Sequence, residues 1–285
     1  MMTRHCLTGD QSMNNLNEHV EAGKKELLVV SFGTASPESR RLNIDATEDA
    51  IKAAAGDAYN VCRAFTSQMI INIIRKREGI IIDNLSEALE RAAENGVSHL
   101  VVQPLHLTKG LEYDKIRTIL TEYEDRFVGI SLGEPLLSSE EDISRTAEAL
   151  VDASDQYDDG RTAVVFMGHG TSASSNDVYV RIQEALYARG KNNYYIGTAE
   201  ARPSLEDVLA SVNREDYTRA VLRPLMLTAG NHAINDMASA DDPDSWYSRF
   251  TAAGYETVCI IEGLGQIPAV RDIYVSHAMK AAALF

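Results

Sequence analysis

Cysteine is scarce in this chain, and its scarcity already excludes a class of protein. There are three in 285 residues, at Cys6, Cys62 and Cys259, and no two form a CxxC pair. They are too few and too scattered for a disulfide framework. Cys62 and Cys259 fall inside apolar runs and read as small buried thiols. Long apolar runs are missing too: none approaches the ~20 residues of a membrane-spanning helix. The first 25 residues, MMTRHCLTGDQSMNNLNEHVEAGKK, contain no apolar core of the kind a secretion signal needs. They read as a mobile tail, and a cytoplasmic location is expected. Basic residues are the third shortage. The 27 Lys and Arg are outnumbered by 42 Asp and Glu, giving a net charge of -15. That balance argues against a nucleic acid or an anionic membrane as partner, because both require clustered positive charge. It favours metal cations. It handicaps a polyanionic substrate unless a local basic pocket reverses the field.

What is present is the composition of a globular protein, 45% hydrophobic and 24% charged. Short apolar runs alternate with longer amphipathic segments: 27–32, 59–65, 98–105, 128–133, 162–167, 194–199, 219–225 and 257–262. The runs are near-continuous and rich in Val, Ile and Leu, as strands buried on both faces of a sheet are. Between them the spacing predicts helices. Residues 84–95 place Leu85, Ala88, Leu89 and Ala92 on one face and stop at Gly96. Another helix is expected after Ser138, with Glu141 completing a capping box and Ile143, Ala147 and Leu150 facing inward. Alternating strand and helix imply a parallel sheet covered on both sides.

The eight runs are four used twice. Residues 28–34 (LVVSFGT) match 163–169 (AVVFMGH), setting Gly33 opposite Gly168 and Thr34 opposite His169. Residues 101–110 (VVQPLHLTKG) match 221–230 (VLRPLMLTAG), setting Glu112 opposite His232. The fold expected is therefore α/β with internal duplication: two similar lobes, each a parallel four-stranded sheet flanked by helices, over residues 26–155 and 160–285. A cleft between them is the natural ligand site, because ligands of open parallel sheets sit beyond the carboxyl ends of the strands.

Three strand ends in the second half carry side chains that ligate metals. His169 stands in the turn Met167-Gly-His-Gly170, where glycines let backbone approach a ligand. Glu200 ends the run 194–199, and His232 follows 219–225 near the start of a helix. Two imidazoles and a carboxylate suit borderline divalent ions such as cobalt, nickel, iron or zinc. Taken singly, each has an ordinary reading as a turn, capping or solvated residue. The first half lacks the set, with Thr34, Phe65 and Glu112 at or near the matching places. One half of a duplicated frame has been specialised.

The segments VVSFGT (29–34), RAFTSQMI (63–70), PLLSSEED (135–142), VVFMGHG (164–170), PLMLTAGNHAINDMAS (224–239), DSWYSRFTAAG (244–254) and GLGQIPAVR (263–271) resemble the anaerobic sirohydrochlorin cobaltochelatases of cobalamin synthesis. The resemblance runs from about Lys25 almost to the C-terminus and is most specific at GNHAINDMAS. It implies a two-lobed class II chelatase that uses no ATP and no cofactor beyond the metal it inserts. It also implies metal ligands at His169, Glu200 and His232, with His169 the proton acceptor. Metallation requires two pyrrolic protons to leave while a hydrated cation sheds water, and a neutral imidazole can both ligate the ion and take a proton. The site must hold its ion loosely, since a closed four-ligand site would trap it.

Other residues carry weaker expectations. Asn235 and Asp236, three and four residues after His232, lie on its helical face and are candidates to bond its imidazole, or simply to cap or face solvent. Thr34 and Glu112 are expected at the substrate from the opposite lobe, with a turn-closing hydroxyl and a solvated helix-start carboxylate as the plainer readings. Arg40, Arg41, Lys109, Arg202 and Arg223 lie near strand ends, within the range of substrate carboxylates or as surface charges. His99, His106 and His277 read as strand edge, surface and helix face, and Trp246 and Phe250 as core. The ligand set equally suits Fe2+ or Ni2+ insertion, or a non-catalytic haem or metal carrier, which binds one equivalent and stops. Oligomeric state is not encoded legibly, and a homo-oligomer is compatible with the chain.

Overall fold

All eight apolar runs are strands, and their burial explains their composition. In the computed structural model, which describes residues 23–285, they are β1 Lys24–Ser31, β2 Asn60–Phe65, β3 Val97–Pro104, β4 Gly129–Leu132, β5 Thr162–Gly168, β6 Tyr194–Thr198, β7 Arg219–Leu225 and β8 Glu256–Cys259. They form two parallel sheets, ordered β2-β1-β3-β4 and β6-β5-β7-β8. The apolar stretches of the two central strands, Leu27–Val30 and Ala163–Met167, are fully buried, as a sheet covered by helices on both faces demands. The expected tail, with Cys6, lies outside the described residues through residue 22. The strand begins at Lys24, before the expected Leu27, because Lys24 and Lys25 still pair with Val97 and His99 of β3. At the other end, β8 stops at Cys259 and not at 262, since Ile260 makes its last bond to Leu222 before the chain leaves the sheet.

Local signals hold with one correction. The helix Leu85–Glu94 buries the predicted face and ends ahead of Gly96, whose φ is +72°. The helix Glu140–Asp152 is capped by Ser139, not Ser138, whose hydroxyl turns away to Pro135 O. The third helical position is then Asp142 in place of Glu141, and Asp142 points inward to accept from His277 Nε2 at 3.0 Å. Cys62 and Cys259 are half-buried free thiols, and desolvation pushes the pKa of Cys259 up to about 11. Trp246 and Phe250 are buried.

The two sheets share one core. Leu27, Val29 and Val101 of the first pack with Val164, Phe166 and Tyr194 of the second, through the helices Glu140–Asp152, Val178–Ala188 and Pro268–Ala282. Each sheet's outer face has a separate apolar cluster. The last helix, Pro268–Ala282, belongs to the second half of the chain but packs on the first, against the helix Ala46–Ala55 and against β3. Buried Tyr274 donates from its hydroxyl to Leu105 O at 3.0 Å and His106 O at 3.3 Å. His277 is buried as well, between Glu134 O and Asp142.

The structure overturns the surface reading of His106. Both ring nitrogens are buried without a hydrogen-bond partner, and desolvation lowers the imidazole pKa to about 4, against the opposing pull of Glu112. The ring is therefore neutral when folded and takes a proton near pH ~6.5 when unfolded. Between those values the unfolded chain binds the extra proton. Stability from this group is full above about pH 6.5 and drains as pH falls toward 4, by on the order of 3 kcal/mol. Urea titrations from pH 7 to 4.5 check this with His106→Met, the residue at the matching place (Met226) in the second half. The variant is expected to lose less stability on acidification than the parent, and parallel profiles would refute the assignment.

Candidate metal centre

His169, Glu200 and His232 converge at the carboxyl ends of β5, β6 and β7, flanking the point where strand order reverses. One ligand atom from each lies within 4.8 Å of the others. The reason is visible in strand length. β1 ends at Ser31, with Gly33 breaking the strand at φ +91°. β5 continues through Met167 and Gly168, which pair with Gly197 and Thr198 on one side and Pro224 and Leu225 on the other. The positive φ is deferred to Gly170, at +84°. His169 is thereby carried beyond the sheet, where Thr34 in the other half is not. Both flanking glycines are required by close packing. A methyl group at Gly168 would lie 2.2 Å from the Tyr179 ring, and one at Gly170 would lie 2.8 Å from the Ala201 side chain.

Glu200 is brought alongside by backbone. Its N–H donates to His169 O at 2.9 Å, and its carboxylate Oε1 stands 3.7 Å from His169 Nε2. His232 opens a short π-helix, His232–Met237, a rare form that is frequent at functional sites. The two imidazoles meet edge-on, with ring centres 4.7 Å apart at 82°.

Hydrogen bonds fix which nitrogen each ring presents. His169 Nδ1 is 2.9 Å from Gly170 O, and His232 Nδ1 is 2.5 Å from Asp236 Oδ2. A carbonyl and a carboxylate only accept, so Nδ1 carries the hydrogen in each ring, and Nε2 is the nitrogen that the neutral tautomer offers to a metal. Opposite ligands at ~2.1 Å from one ion stand about 4.2 Å apart, so a set spread over at most 4.8 Å closes onto an ion with small side-chain shifts. All three ligand side chains are about half exposed, leaving the site open on one side. Asn235 is exposed, and among the described residues no hydrogen bond joins it to His232.

The first-lobe residues lie along the seam between the lobes. Thr34 is buried, and its hydroxyl accepts from Ser36 N–H at 3.3 Å. A methyl group at Gly230, in the loop before His232, would lie 3.8 Å from that hydroxyl, and one at Gly110 would lie 3.4 Å from Ser175 Oγ. These reciprocal approaches are what two facing copies of one frame produce. Glu112 begins the helix Leu111–Thr121 and pairs with Lys115 at 2.5 Å. Burial pushes its carboxyl up, but Lys115 outweighs this and holds it below the ordinary value, so it is ionised. Phe65, near the place that matches Glu200 in the repeat, is fully buried core.

Sequence reasoning read His106 as surface, and it left Arg271 inside a motif recognised only as a whole.

The cobalt chelatase (CbiK) family matches residues 25–283. The chain is 40% identical to the sirohydrochlorin cobaltochelatase of Salmonella typhimurium over 90% of its own length and 96% of that protein's. It is 29% identical to the sirohydrochlorin cobaltochelatase CbiKC of Nitratidesulfovibrio vulgaris, covering 93% of each. In fold it is similar to SirB from Bacillus subtilis in an Fe3+-containing structure, with a TM-score of 0.62 at 17% identity over 91% of this chain and 96% of that one. No helix among the described residues is long and apolar enough to cross a membrane. With the duplicated parallel sheets and this coverage of sequence, the chain belongs to the cobalt chelatase (CbiK) family.

Proposed function

We propose that this protein is a sirohydrochlorin cobaltochelatase of anaerobic cobalamin synthesis, acting in the cytoplasm. It inserts Co2+ into the ring without ATP, and two pyrrolic protons are released. The observation that carries the reading is the open cluster of His169, Glu200 and His232, on three adjacent strand ends of one lobe. In this reading the two imidazoles and the carboxylate take Co2+ from solvent, and the carboxylate offsets part of the charge brought out of water. His169 then acts twice. Its Nε2 lone pair cannot hold a metal and a proton together, so passing cobalt to the ring frees the base as a pyrrolic N–H must lose its proton. Asp236 holds the His232 ring in its ligating tautomer. The lobes divide at about residues 155–160, and the first forms the facing wall. Its Thr34 hydroxyl and ionised Glu112 are the polar groups for the ring's other side.

The test follows sirohydrochlorin absorbance on mixing purified protein with Co2+, Fe2+ and Ni2+ in parallel. Turnover above the spontaneous rate, fastest with cobalt, is expected; binding of one equivalent without turnover would instead mark a carrier. His169→Ala should cut the above-background rate about 100-fold or more with the fold intact by circular dichroism. A rate near that of the parent would remove His169 from its role. His232→Ala and Asp236→Ala should both weaken Co2+ binding in direct titration, the second by roughly 10- to 100-fold. Unchanged cobalt affinity in Asp236→Ala would show that its hydrogen bond does not tune the ligand.

A further inference from the structure

A protein of net charge -15 that accepts a ring fringed with carboxylates needs cations kept clear of internal pairing. Four of the five basic residues near strand ends are already engaged. Arg40 is buried against Glu78, and Arg223 is buried, donating to Ser154 Oγ at 2.8 Å and pairing with Glu262 at 3.2 Å. Lys109 pairs with Glu134 at 2.7 Å and Arg202 with Asp207 at 3.2 Å. Arg41 differs: it is exposed, and no carboxylate among the described residues forms an ion pair with it.

Arg41 lines a cavity of about 480 Å³ with Gln266 and Arg271. Both belong to the GLGQIPAVR segment, to which the metal chemistry assigns no task. Arg271 Nη1 donates to Gly265 O at 2.9 Å and Gln266 O at 3.1 Å, which fixes the guanidinium. Among the described residues its Nε and Nη2 have no partner, and this is an edge that grips a carboxylate with two parallel bonds. Two acids also line the cavity. Asp45 is bound to Arg63, which leaves Asp49 against two guanidinium groups.

The cavity's walls pack on the segment that leads to His232. A methyl group at Gly263 would lie 2.5 Å from both Asn43 Oδ1 and Leu227 O. Asn43 belongs to the π-helix Arg40–Asp45 that carries Arg41, and Leu227 to the loop between β7 and His232. The cavity therefore sits on the strand-end side of the molecule, where the helices Ala46–Ala55 and Pro268–Ala282 both begin. We propose that Arg41, Arg271 and Gln266 form a carboxylate seat that anchors the rim of the macrocycle and sets which edge of the ring meets the cobalt ligands. This rests on the chelatase reading.

The test compares parent, Arg41→Gln, Arg41→Lys and Gln266→Ala in insertion kinetics at two ionic strengths, with sirohydrochlorin binding followed separately by fluorescence titration. Arg41 is exposed, so its substitutions leave the fold undisturbed. Arg41→Gln is expected to raise KM and the binding Kd for sirohydrochlorin about 10-fold or more, to flatten their salt dependence, and to leave Co2+ affinity unchanged. Arg41→Lys should recover part of the loss, and Gln266→Ala should weaken ring binding less. An active parent whose Arg41→Gln variant keeps the parent KM, Kd and salt dependence overturns the seat. A parent with no turnover would sink the chelatase reading instead, and the fluorescence Kd alone would then decide the seat, an unchanged value overturning it.

Discussion

The apolar core held in common by the two sheets is the constraint from which the rest of this structure follows. A parallel sheet must be covered on both faces, and here one face of each sheet is covered by helices that also touch the other sheet. The last helix crosses from the second half to the first, where Tyr274 and His277 tie it to the loops after β3 and β4. The lobes are thus not beads on a linker. Their strand ends are held in one relative position, as catalysis across two lobes requires, since misplacement by about 1 Å costs orders of magnitude in rate.

Within that frame, function comes from breaking the symmetry of a repeat. Two extra residues of pairing at the end of β5 move the turn outward and expose His169. The matching position in the first lobe is a buried hydroxyl that closes its own turn. Nothing in the repeat's hydrophobic pattern distinguishes the two. The difference lies in where the positive-φ glycine falls, Gly33 in one half and Gly170 in the other. The candidate metal centre is correspondingly one-sided, and its three side chains stand half exposed. That suits an ion in transit, which a closed tetrahedral site would retain.

Electrostatics sets a second tension. The surplus of acids draws cations but repels a carboxylated ring, so positive charge has to be local and held free. Most arginines near the cleft are consumed by structure: Arg40 and Arg223 are interior groups paired in place, and removing their partners would strand buried charge. Free guanidinium edges are therefore informative about where an anion can sit.

The sequence by itself determined the two parallel sheets and the duplication, and it named the three side chains that the fold then brings together, because apolar period, strand spacing and the repeat are local or one-dimensional signals. It placed β7 at residues 219–225, as found, and put Asp236 on the face of His232. It missed by one residue at Ser139, since neighbouring serines cap equally well on pattern and only the inward turn of Asp142 toward His277 selects between them. Tertiary structure alone decided the burial of His106, the return of the last helix to the first lobe, and the meeting of Arg41 with Arg271. The last two join segments far apart in the chain, since Arg41 and Arg271 line one cavity and Tyr274 bonds Leu105 O, and no periodicity in either partner records a meeting made only when the core closes.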